Sequence, residues 1–173
     1  SPDGLSDAQE YGLALARMQA NQPAVAATGL AALLLKHPDS LWVTLALGEA
    51  ESRSGKTTAA NQRFTALQRQ FHDNRAVALT FAQVLNEQGS RESGQRAQAV
   101  LRPLLGNAGN DPFFQKNFAR ANELAGDLAR AGEAYAEAAF LNCRPEQALI
   151  QLQNLKKRED LDYYTRARVD VRI

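Results

Sequence analysis

Apolar side chains recur along the chain at three- and four-residue spacing, in stretches separated by short polar breaks, which is the period of amphipathic helices. Tyr11, Leu15 and Met18 mark one side of a first helix running to about Ala20, with Leu13 on another side and Ser6 or Asp7 as N-cap. Asn21-Gln22-Pro23 reads as a turn, its Pro placed where a new helix accepts one. Ala26, Leu30, Leu33 and Leu34 mark a second helix from about Ala24 to Lys36, closed by His37-Pro38-Asp39.

The pattern then repeats. Leu13, Leu47 and Phe81 are evenly spaced, and the same interval separates Ala26 from Ala60, Leu30 from Phe64, and Leu33 from Leu67. Within Leu41 to His72, Leu47-Gly48 is followed by Gly55, Ala60 and Phe64. This is the skeleton of the tetratricopeptide (TPR) unit, W-x2-L-G-x2-Y followed by A-x3-F with a period of roughly 34 residues. Thr44 and Glu51 stand in place of its Trp and Tyr. The physical content is a crossing of two helices. Gly48 and Ala60 are small enough for close approach, Leu47, Phe64 and Leu67 fill the seam, and Gly55 ends the first helix in a left-handed conformation that costs Gly little.

A third hairpin carries Ala82 in place of Gly48 and turns at Gln88-Gly89. Its second helix slips by three residues to Ala97, Leu101 and Leu104, so Ser90 to Gly94 reads as an insertion lengthening the turn. Pro103 is expected to bend or loosen the end of that helix, and Gly106 to Pro112 to form the longest loop. A fourth hairpin shows Phe118-Ala119, Ala125-Gly126, Ala131, Tyr135 and Ala138. Taking Cys143 as a turn, Tyr135-Ala136 also opens a fifth unit with Ala148, Leu152 and Leu155, so the helix near 128–142 serves two hairpins. Leu161, Tyr164, Ala167 and Val171 define the apolar face of a last helix closing the array. The expected fold is all-α, a TPR superhelix (α-solenoid) of about ten antiparallel helices. Residues 1–6 form a disordered leader, 7–142 four hairpins, and 143–173 the overlapping fifth hairpin and a capping helix.

Composition changes this picture little. The chain has 173 residues, 45% hydrophobic and 23% charged, with a net charge of +1, which gives no bulk attraction to nucleic acid or anionic membrane. Charge is uneven: two basic and five acidic side chains over 1–50, ten and five over 51–120. No apolar run approaches the ~20 residues of a membrane span. The opening Ser1-Pro2-Asp3-Gly4, without Met, reads as a fragment start with a cloning remnant, its targeting information lying elsewhere.

Candidate chemistry is sparse. The two histidines, His37 and His72, sit at corresponding helix ends rather than one turn apart as in H-E-x-x-H. Cys143 has no His at a suggestive spacing and takes a turn position that elsewhere holds Gly. Glu133 and Glu137 are i,i+4 neighbours of the kind found on solvated helix faces. Ser54-Gly55-Lys56-Thr57-Thr58 lacks the upstream Gly and the preceding strand of a phosphate-binding loop. Lys156-Lys157-Arg158 complements a helix C-terminus. The sequence therefore predicts no catalytic residue, cofactor or metal ligand.

What remains is surface. In TPR arrays the first helix of each hairpin lines a groove that receives a partner segment. This projection gives Trp42, Glu49, Arg53, Gln83, Asn86, Lys116, Arg120 and Glu123 as partner-binding candidates. Trp42 is either an anchor for a partner or a packing residue between hairpins. Tyr11 and Leu15 stand where a carboxylate-clamp repeat has Lys and Asn in its first hairpin, which speaks against that type of site.

The C-terminal stretch is more specific. Ala134-Tyr-Ala-Glu-Ala-Ala-Phe-Leu-Asn-Cys-Arg, Gln147-Ala-Leu-Ile-Gln-Leu and Asp160-Leu-Asp-Tyr-Tyr-Thr-Arg-Ala-Arg-Val-Asp resemble the C-terminal TPR domain of periplasmic M48-family zinc metalloproteases of the β-barrel assembly-enhancing kind. Cys143 departs from the Gly expected there. The resemblance implies a non-catalytic module beside a protease domain that would hold the zinc. Its implied partners are outer-membrane β-barrel proteins, their assembly machinery and the chain's own protease domain, in a Gram-negative periplasm. The alternative is an independent scaffold or co-chaperone unrelated to a protease.

Overall fold

The computed structural model describes residues 4–173, and among these every regular element is helical. Ten helices of ten or more residues follow one another: α1 (Asp7–Gln19), α2 (Pro23–Lys36), α3 (Leu41–Arg53), α4 (Thr57–Gln70), α5 (Arg75–Gln88), α6 (Arg91–Leu101), α8 (Pro112–Ala125), α9 (Leu128–Leu141), α10 (Pro145–Lys156) and α11 (Tyr163–Arg172). Between α6 and α8 lie a 3-10 turn, Arg102–Leu104, and one short helical turn, α7 (Leu105–Ala108). The chain forms two compact units, Ser1–Thr80 and Phe81–Ile173, divided within α5. Of the leader expected over 1–6, residues 1–3 lie outside those described, and Ser6 is the N-cap of α1.

The repeat is written into the helix ends. Ser6, Ser40, Asn74 and Asp111 each accept a main-chain N–H from the first turn of the helix they precede, satisfying a donor that the helix leaves unpaired. Asn21, Gly55, Gly89, Gly126 and Cys143 all have positive φ, between 56° and 89°. At four of these turns the next residue's N–H reaches back five positions: Gln22 to Arg17, Lys56 to Glu51, Asp127 to Asn122 and Arg144 to Ala139, at 2.8–2.9 Å. This is the Schellman closure, which needs a left-handed residue at that point. Asn tolerates the conformation, whereas Cys143 bears the Cβ penalty.

In the first unit α1 packs on α2, α2 on α3, and α3 on α4. The core between them is small and aliphatic, built on Ala14, Ala26, Leu30, Leu33, Leu47 and Ala50. Gly48 is pressed against Phe64, so closely that a Cβ there would lie 2.6 Å from the ring. Glu51 and Arg63 join α3 to α4 by two charge-assisted hydrogen bonds of 2.8 and 2.9 Å. That bonding raises the Arg63 pKa against the opposing effect of burial. Leu13 and Leu15 are exposed, and α1 turns Ala14 and Met18 inward instead. Position 13 therefore shares the spacing of Leu47 and Phe81 without sharing their burial.

In the second unit α6 packs on α8, α8 on α9, α9 on α10, and α10 on α11. Ser90 to Gly94 does not lengthen the turn. Ser90 caps α6 reciprocally with Ser93, so the extra residues add to the start of the helix, and Gly94 is buried against Leu124 and the Ala125 main chain. Pro103 sits in the 3-10 turn that ends α6. The expected long loop is shorter than the sequence suggests, because Leu105–Ala108 form a helical turn. Asn122, fully buried, fastens α6 to α8: its Nδ2 donates to the Phe118 carbonyl and its Oδ1 accepts from Gln98 Nε2.

α11 carries the largest departure. Tyr164, Ala167 and Val171 face outward, with Val171 89% exposed, while Leu161, Thr165 and Val169 are buried. The rotation follows from Asp162, which caps the helix through Thr165, and from charged contacts to α9.

Candidate functional site

Within the second unit, the part of α5 from Phe81 onward and α8 border a shallow depression of about 400 Å³. Gln83, Asn86 and Glu87 come from one helix, and Phe113, Lys116, Asn117 and Arg120 from the other. The three- and four-residue spacing within each set puts them on one helical stripe. Asn86 is buried; its Nδ2 donates to the Asn117 carbonyl at 3.0 Å, and its Oδ1 has no hydrogen-bond partner among the described residues. Asn117 in turn donates to the Phe113 carbonyl. Gln83 donates to Glu87 at 3.3 Å.

Beside this depression Arg120 pairs with Glu123 at 2.7 Å, and the same carboxylate oxygen accepts from the Tyr135 hydroxyl at 3.0 Å. The Arg120 bond is the main cause of a lowered Glu123 pKa, and Tyr135 adds to it. Burial, then the bond to Glu123, pushes Tyr135 up to about 12.

Of the eight residues projected from the sequence, Gln83, Asn86, Lys116 and Arg120 thus line one depression, and Glu123 adjoins it through Arg120. Trp42, Glu49 and Arg53 belong to the first unit. Trp42 is 64% exposed, so packing between hairpins does not account for it. Burial raises the pKa of the Tyr11 phenol, and the charge of half-buried Glu49 adds to that effect. Arg53 is exposed at the end of α3.

Sequence reasoning missed a larger cleft. About 800 Å³ is enclosed by the turn after α6 and by α8, α9 and α11. Arg102 and Leu105 stand on one wall, Arg130, Glu133 and Glu137 on α9, Arg168 and Arg172 on α11, with Phe118 and Ala134 among them. Glu133 and Glu137 are not solvated neighbours, their side chains being only 16% and 22% exposed. Arg168 forks onto Glu133 at 2.9 and 3.3 Å, and Arg172 pairs with Glu137. Two i,i+4 ladders of opposite charge therefore face each other across α9 and α11. A second, more apolar recess of about 440 Å³ lies between α9, α10 and α11, with Phe140, Leu149 and Ile173 on its border.

Among the described residues no three His, Cys, Asp or Glu side chains are grouped to hold a metal ion. The residues present therefore do not fit the zinc of a metalloprotease. His37 pairs with Asp7 at 2.7 Å and His72 with Asp73 at 2.8 Å, both on the surface. Cys143 is exposed. No helix of the described residues is long and apolar enough to cross a membrane. No family model matches the chain, and none of the curated proteins matches it.

Proposed function

We propose that the chain is a non-catalytic protein-interaction module of the TPR type. The observation that carries this reading is the depression between α5 and α8, where first helices of successive hairpins bring Gln83, Asn86, Lys116 and Arg120 together. Rigid helix pairs present such side chains at little ordering cost, and repeat arrays bind partners in this way. The regular recurrence of caps and left-handed turns supports the same reading.

The resemblance at 134–170 makes the proposal more specific. The module would serve a periplasmic M48 metalloprotease, capturing outer-membrane β-barrel proteins or subunits of their assembly machinery and regulating the adjacent protease domain. Zinc would belong to that domain alone. Photo-reactive residues at positions 42, 53, 83, 116 and 120 of the parent protein test this in cells. Adducts to barrel proteins or their assembly machinery are expected. Adducts confined to the parent protein would leave only the regulatory role. An upstream sequence without H-E-x-x-H would favour the independent scaffold.

A further inference from the structure

The arginine cleft has a charge pattern that its own contacts do not use up. Four guanidinium groups, Arg102, Arg130, Arg168 and Arg172, face two carboxylates, both already engaged by α11. Arg102 makes no ion pair among the described residues, and the contact of Arg130 with Asp127 is long, at 3.7 Å. Leu105 stands partly out of the wall, and Phe118, itself buried, lies beneath the lining. Arg168 is held in a fork by Glu133, so its direction is set before any ligand arrives. Guanidinium groups match carboxylates two bonds at a time, and arginine beside an apolar anchor point is a common centre of binding energy.

We propose that this cleft binds an extended protein segment in which acidic side chains flank one bulky apolar residue. The apolar side chain seats against Leu105, and the acidic ones reach Arg102 and Arg130. Glu133 and Glu137 favour this ligand over nucleic acid. Separate carboxylates can be spaced around them, whereas a continuous phosphate chain would be driven across two negative groups. The inference rests on the reading of the chain as an interaction module and names what one of its surfaces takes.

The test uses the whole chain and a fluorescent peptide, acetylated and amidated at its ends, with two acidic residues on either side of a Phe. Anisotropy should report saturable binding that weakens as salt is raised. The double variant Arg102→Glu/Arg130→Glu leaves both ladders to α11 intact and should bind about tenfold or more weakly. Its circular dichroism and melting should match the parent, and Leu105→Ser should weaken binding independently of charge. The proposal is overturned if the double variant binds as the parent does, or if a peptide with Asn and Gln in place of the acids binds equally. It is also overturned if only a free C-terminal carboxylate is captured, or if a single-stranded oligonucleotide binds more tightly than the peptide. Loss of peptide binding with crosslinks at 83, 116 and 120 intact would remove this inference and leave the module reading standing. The opposite pattern would separate them the other way.

Discussion

The Cβ that Gly48 lacks would lie 2.6 Å from Cε2 of Phe64, a residue with no exposed surface. The approach of α3 to α4 is therefore set by a hydrogen atom on one helix and a ring on the other. Gly48→Ala gains roughly 1 kcal/mol of helix propensity but forces a buried ring to move, which costs about 1–3 kcal/mol. The net expectation is destabilisation. Gly94→Ala should cost more, because there the obstacle includes the Ala125 main chain at 2.9 Å. Gly12→Ala, with nothing within 4 Å, should stabilise by up to about 1 kcal/mol. Urea denaturation of the three variants checks the order, and a stabilising Gly94→Ala would refute the packing argument.

Glu51 and Arg63 are both shielded from solvent and bonded twice. Replacing Glu51 by Ala leaves a half-buried guanidinium without its acceptor, at a cost of about 1–3 kcal/mol. A double-mutant cycle with Arg63→Ala should give a coupling of at least about 1 kcal/mol. Lys36 with Asp7, an exposed pair, is the comparison and should couple more weakly than Glu51 with Arg63.

Cys143 holds φ at 56°, where Gly55, Gly89 and Gly126 stand at equivalent turns. Cys143→Gly removes the Cβ conflict and should raise stability by about 1 kcal/mol. Asn21→Gly should change little, since Asn accepts the left-handed region locally. Thermal melts of the two variants side by side distinguish turn geometry from a general effect of glycine.

Tyr135 titrates near 12 in the folded chain, against an ordinary 10.0. A phenol whose pKa rises on folding stabilises the fold while it stays protonated. That contribution is complete below about pH 10 and is lost as the pH climbs from there towards 12. The stability difference between the parent and Tyr135→Phe should accordingly shrink over that window. Ultraviolet titration should lose its latest-ionising tyrosine in the variant. If the phenol lost in the variant is instead one that ionises near the ordinary 10.0, burial and Glu123 do not act on it.

Local signals were legible in the sequence, and tertiary ones were not. The Gly48, Ala60, Phe64 crossing and the turns at Gly55 and Gly89 follow from residue type and spacing, because one or two residues determine each. The face of α11 was misread because Tyr164, Ala167 and Val171 are together more apolar than the buried Thr165 and Val169. Spacing favours the greasier stripe, but the cap at Asp162 and the ladder to Glu133 and Glu137 set the rotation. The short turn at Leu105–Ala108 was hidden by glycines on either side of Asn107-Ala108. Arg102, Arg130, Arg168 and Arg172 are widely scattered along the chain, and only folding collects them. One signal was readable: Glu133 and Glu137 share their four-residue step with Arg168 and Arg172 further along the chain.

The left-handed turn at Cys143 follows that at Gly126 at half the interval separating Asn21, Gly55 and Gly89 from one another. Helix α9 thus closes one hairpin and opens another, and its residues between the two, Ala131, Gly132, Ala134, Ala136 and Ala138, stay small under neighbours on both sides. An upstream hairpin brings its own cap and turn. The hairpins α8–α9 and α9–α10 share one helix, so removing either pair takes a wall from the other.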